Sequence, residues 1–130
     1  FIYNGIKNTK SVAPFATVIT TKIKLQKSLS MYNTVGYETI GEALEKRVVK
    51  MNVTETDGLI LTNDLSAYGV HAQIEVEGVV NGNAEMRVSY GILVKAISLA
   101  NERIFLTFYQ RALVVHTDQS ETMIIATQKL

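Results

Sequence analysis

Two histidines, His71 and His116, and no cysteine bound the chemistry open to this chain. Without thiols there is no disulfide, no cysteine nucleophile and no cysteine-ligated metal, and the two histidines stand in no metal-binding spacing. Ser66, His71 and Asp64 place a hydroxyl, an imidazole and a carboxylate within eight residues. Triads are defined by geometry rather than proximity in sequence, however, and no nucleophile elbow is present. Glu55, Asp57 and Asp64 lie in adjacent loops and suggest an acidic pocket, but their spacing matches no calcium loop, and loop carboxylates commonly form turns. Gly78 to Gly82 lacks the spacing and the following lysine of a phosphate loop. Asn52-Val53-Thr54 is a formal glycosylation sequon. Tyr90, Phe105, Phe108 and Tyr109 supply the aromatic content of an RNA-binding sheet, yet Tyr90 and Phe108 fall on the core side and the two-helix order of that fold is missing. These residues predict no catalytic site, no metal and no cofactor.

The elements that carry them read as α+β, mostly β. An antiparallel meander of about four long strands spans Val70 to Gln128. Val70, Ala72, Ile74, Val76 and Val80 alternate with His71, Gln73, Glu75 and Glu77, the period of a strand with one buried face. Ala84, Met86, Val88, Tyr90, Ile92 and Val94 repeat the pattern. A three-residue loop, Asn81-Gly82-Asn83, pairs Val80 with Ala84 and Val76 with Val88, and brings Glu77 to Arg87; a two-residue turn would put glutamates on the core face. The same parity carries through Ala100-Asn101-Glu102 into Ile104, Leu106, Phe108, Ala112 and Val114. It continues past the turn Asp118-Gln119-Ser120 to Ile124 and Ala126. His116 falls at the end of this core face.

The opposite face is also apolar along much of its length. Leu93, Ile97, Phe105, Tyr109, Leu113 and Val115 lie there, which a half-solvated sheet would not tolerate. A helix, a second sheet or a neighbouring subunit must cover them, and they are the candidate interface residues.

Ahead of the meander, residues 1–15 read as an N-terminal arm or edge segment. Ala16 to Lys27 is β-branched and alternating, hence a strand with Ile19, Ile23 and Leu25 facing in. Ser28 to Asn33 reads as a loop. Tyr37, Ile40, Leu44, Val48 and Met51 form one apolar stripe, predicting a single amphipathic helix over about 37–50. Glu55 to Gly58 turns into a short strand, Leu59 to Thr62. No internal repeat is legible.

At 130 residues, with 47% hydrophobic and 19% charged side chains, the chain is long enough for one domain with its own core. No apolar run reaches the ~18 residues that span a bilayer as a helix. Charge is split: Lys7, Lys10, Lys22, Lys24 and Lys27 precede the first acid, leaving 8 basic and 12 acidic residues from Glu38 onward. Those five lysines suit a strand edge guarded against aggregation, or next an arm that contacts the acidic body of a second copy. Without arginine and with few aromatics among them, nucleic acid ranks last as their partner. Together these features predict a non-catalytic structural subunit that self-associates through sheet surfaces, of virion, phage-tail or filament type, in a virion or extracellular assembly. The alternative is a small-ligand or peptide binding module in which a curved sheet wraps a helix, lined by Tyr37, Tyr68, Tyr90 and Tyr109.

Overall fold

The first element sets the pattern for the rest. In the computed structural model, which describes residues 13–34, 48–62 and 73–126, strand β1 (Ala16–Thr21) buries Ala16, Val18 and Thr20. At Thr21 the β-branched run gives way to lysine, leucine and glutamine, better helix formers, and helix α1 (Lys22–Thr34) begins. The Thr21 hydroxyl accepts the Lys24 N–H at 3.3 Å, an N-cap contact. Leu25, Leu29 and Tyr32, at i, i+4 and i+7, form its buried stripe. Strands β2 (Val48–Thr54), β3 (Gly58–Thr62) and β4 (Gln73–Val76) then form an antiparallel meander, with Met51 opposite Leu61 and Leu59 opposite Val76.

After β5 (Val79–Gly82) the order repeats. Strand β6 (Ala84–Ser89) leads into helix α2 (Tyr90–Ser98), which precedes a second meander of β7 (Arg103–Phe108), β8 (Ala112–Thr117) and β9 (Glu121–Ile125). Among the described residues each half is thus strand, helix, three strands, a structural repeat that was not legible in the sequence. The halves exchange their leading strands. One sheet has the order β5-β1-β7-β8-β9 and the other β4-β3-β2-β6. Hence β1 of the first half pairs with β7 of the second, Val18 opposite Leu106, while β6 pairs with β2, Met86 opposite Met51. The helices are not exchanged: α1 packs on β3 and β4 of its own half, α2 on β8 and β9 of the other, and the two helices touch each other. All these elements feed one apolar core. Tyr32 and Tyr90 stack across the helix pair with ring centroids 6.1 Å apart. Their hydroxyls donate to Val48 O and Leu29 O at 2.7 and 3.1 Å.

The α+β, mostly β, antiparallel class holds, as do the strand ending at Thr62 and the turn at Asp118-Gln119-Ser120. Several placements differ. The predicted helix over 37–50 falls largely outside the described residues, and its last residues, Val48 to Lys50, open β2. The two helices among the described residues occupy segments read as strand or loop. Asn81-Gly82-Asn83 closes no hairpin; Val80 pairs with Val18 and Val88 with Val49. Here Gly82, at φ 89°, steers one extended run out of the first sheet and into the second. Tyr109-Gln110-Arg111 is a turn that reverses the face parity. Leu113 and Val115 therefore join Leu106 and Phe108 inside, and Ala112 and His116 face out.

Candidate functional site

The described residues include eight acids, and none of them lies on a helix: Glu55, Asp57, Glu75, Glu77, Glu85, Glu102, Asp118 and Glu121 all sit on strands or turns. The helices carry Lys22, Lys24, Lys27 and Lys95 and no carboxylate. Among the described residues one layer is therefore basic, while the strands and their turns hold every described acid, a separation that net charge conceals.

Each lysine has a distinct environment. Lys22 is structural: its Nζ donates to Ser98 O at 3.1 Å and Ala100 O at 2.9 Å, satisfying carbonyls at the end of α2 and placing a cation at the negative end of that helix. Lys24 Nζ lies 2.7 Å from Glu77 Oε1. Glu77 is consequently held below the ordinary carboxylate range, first by the Lys24 hydrogen bond and then by its charge, with a smaller pull from Lys27. Lys27 and Lys95 are exposed and form no ion pair among the described residues. At the other end of α2, the Ser89 hydroxyl accepts the Ile92 N–H at 3.4 Å. These contacts hold the two helices as rigid supports for cations in solvent, with Ile23, Ile92 and Leu99 exposed among them.

Of the predicted interface residues, Leu93 and Ile97 are on α2, Leu113 and Val115 on β8, and all four are fully buried within this chain. Phe105 remains exposed at 40% and Tyr109 half-buried. Phe105 lies in a cross-strand row, Val79, Ile19, Phe105, His116, Glu121, across the outside of the first sheet. His116 Nδ1 approaches Glu121 Oε2 at 2.9 Å, and its ring meets Phe105 edge-on at 5.9 Å. Ile19 and Ile23, expected inside, are exposed. Of the arm lysines, Lys22, Lys24 and Lys27 turn out to be helical, whereas Lys7 and Lys10 lie outside the described residues, as do Asp64, Ser66, His71, Tyr37 and Tyr68. Tyr90 is committed to the core. Among the described residues no cluster of His, Asp or Glu could hold a metal ion, and no helix is long and apolar enough to cross a membrane. The sequence reading missed Lys95 and the helical setting of Lys22 to Lys27; the absence of acid from 22–34 and 90–98 was the available signal.

No family model matches the sequence, and no curated protein matches it. Solved structures do. The DNA polymerase III β subunit of Thermotoga maritima superposes with a TM-score of 0.73 at 13% identity, covering 92% of this chain and 32% of that one. The sliding clamp (DNA polymerase III subunit β) of Pseudomonas aeruginosa, bound to griselimycin, gives 0.70 at 16% identity over 90% and 31%. The Bacillus subtilis DNA polymerase sliding clamp gives 0.67 at 13% over 94% and 33%. The chain spans about a third of the length of the clamp chains it matches. These likenesses overturn the expectation of a virion, phage-tail or filament subunit, and they remove the ground for ranking nucleic acid last. Three of the five lysines assigned to an arm, Lys22, Lys24 and Lys27, belong to α1. At these identities the likeness is one of architecture: the chain has the fold of a sliding-clamp domain.

Proposed function

We propose that this chain is one module of a non-catalytic clamp that holds duplex nucleic acid against the lysines of α1 and α2. The acid-free helix pair carries the proposal. A layer that presents only cations attracts the phosphate backbone whatever its sequence, through release of condensed counterions. Base readout has little support in this layer. Its two tyrosines are buried against each other, and no aromatic ring on either helix is free to stack on a base. Contact through phosphates alone fixes position without specifying sequence, which is what a body that travels along its template requires.

The fold comparison supports the same reading, since the structures that share this architecture are named as sliding clamps. Closing a body of their length takes about three modules of this size, whether copies or further domains. The self-association expected from the sequence keeps a place here, through sheet edges rather than sheet faces. Among the described residues β4 and β9 each end a sheet, and β9 carries no charge after Glu121.

Fluorescence anisotropy with a labelled duplex tests the proposal. Binding should be independent of sequence and should weaken steeply between about 50 and 200 mM salt. Replacing Lys27 and Lys95 together by glutamine should lower the log–log salt slope by about two. Absence of duplex binding, or a slope indifferent to both lysines, overturns it.

A further inference from the structure

We infer that Glu77 is an internal competitor for phosphate, occupying Lys24 so that the helix layer grips nucleic acid loosely. The inference rests on the clamp reading and adds to it the residue that sets the strength of the grip.

Glu77 does not drift into this position. It stands in the short link between β4 and β5, where its backbone carbonyl accepts the Thr20 hydroxyl at 2.7 Å. The next residue, Gly78, passes so close to β1 that an added Cβ would lie 2.6 Å from Ile19 O. The link is thereby fixed against β1, the strand that runs directly into α1, and the carboxylate reaches Lys24 in the first turn of that helix. Both partners remain open to solvent, Glu77 at 76% and Lys24 at 44%. A phosphate can therefore reach Lys24, but it must take the place of the carboxylate. An exposed ion pair of this kind holds weakly, so the exchange is reversible. Glu77 shares its cleft of about 400 Å³ with Asp57 and Glu75. A displaced carboxylate meets two others there, which favours its return to Lys24.

The test compares Glu77→Gln with Glu85→Gln in the intact protein. Glu85 pairs with Lys50 at 3.5 Å, between β6 and β2 and away from the helices, so its replacement makes the same change in net charge. With a labelled duplex at moderate salt, Glu77→Gln should bind roughly threefold or more tightly and steepen the log–log salt slope by about one. Glu85→Gln should change neither by as much, and the gain from Glu77→Gln should shrink in a Lys24→Gln background. Equal shifts for the two glutamate variants would reduce the effect to net charge and overturn the inference. So would a Glu77→Gln protein indistinguishable from a parent that binds, an outcome that leaves the clamp reading standing. If neither parent nor Glu77→Gln binds duplex, both fail together.

Discussion

Asp118 accepts the backbone N–H of Asn101 at 2.7 Å and that of Glu102 at 3.0 Å, tying the β8–β9 turn to the segment that leads from α2 into β7. These bonds favour the ionised carboxylate, the Asn101 N–H most of all, and hold Asp118 below its ordinary value of 3.8. A depressed folded-state pKa has a definite sign: the stabilisation is complete above the unfolded value and disappears as pH falls through the folded one. Asp118→Asn should therefore lower the melting temperature at neutral pH. The gap between variant and parent should close only in acid below the usual aspartate range, as followed by thermal denaturation across pH. A gap that persists unchanged in strong acid would remove the charge-assisted caps from the account. The turn itself was legible, since Asp-Gln-Ser between two apolar runs is turn chemistry. The partners of Asp118 were not, because they lie on a segment brought close only by the tertiary fold.

Among the elements, the passage from β5 to β6 departs furthest from what local pattern suggests. Two alternating runs flanking Asn-Gly have the makings of a hairpin, and the alternation of both runs is real, with Val76, Met86 and Val88 all buried. The partners of β5 and β6, however, are strands far away in sequence, β1 and β2, and no local rule names them. Gly82 is needed because the chain crosses between sheets there: its φ is 89°, and a Cβ would lie 2.3 Å from Phe15 O. Gly82→Ala should cost about 1–3 kcal/mol, read as a lower denaturant midpoint at unchanged slope. An unaffected midpoint would mean that the crossing tolerates a side chain. The helices escaped detection for a related reason. Tyr90 to Ser98 is apolar and β-branched enough to continue the alternation of β6, and only the buried set Tyr90, Leu93, Ala96 and Ile97 betrays the 3.6-residue period. In α1, lysines two residues apart, Lys22 and Lys24, imitate the outward face of a strand. The fold class survived these errors because most of the described residues do lie in antiparallel strands; the basic layer did not, because it exists only once both segments are helices.

For the molecule as a whole, the two sheets differ on the outside. The second is polar, with Lys50, Asn52, Glu85 and Arg87 on its outer face, while the first exposes Ile19, Val79 and Phe105. Modules should associate at the sheet edges. Ile125, 56% exposed near the end of β9, stands where an incoming strand would pair. A charge there should block such pairing, as lysine does on natural edge strands. Ile125→Lys should keep the fold by circular dichroism and reduce any oligomer of the parent in sedimentation velocity. An oligomer that persists intact would place the contact elsewhere.

The exchange of leading strands also has a consequence for synthesis. Neither half can complete a sheet alone: β1 waits for β7, and β2 gains its second neighbour only with β6. During translation Val18 has no route to Leu106 until most of the chain has emerged, so the nascent N-terminal strand remains an unpaired apolar edge for that interval. Folding dominated by such distant pairings is slow. This protein should depend on a ribosome-associated chaperone more than its modest size suggests, and its two halves, once formed, should unfold together rather than one after the other.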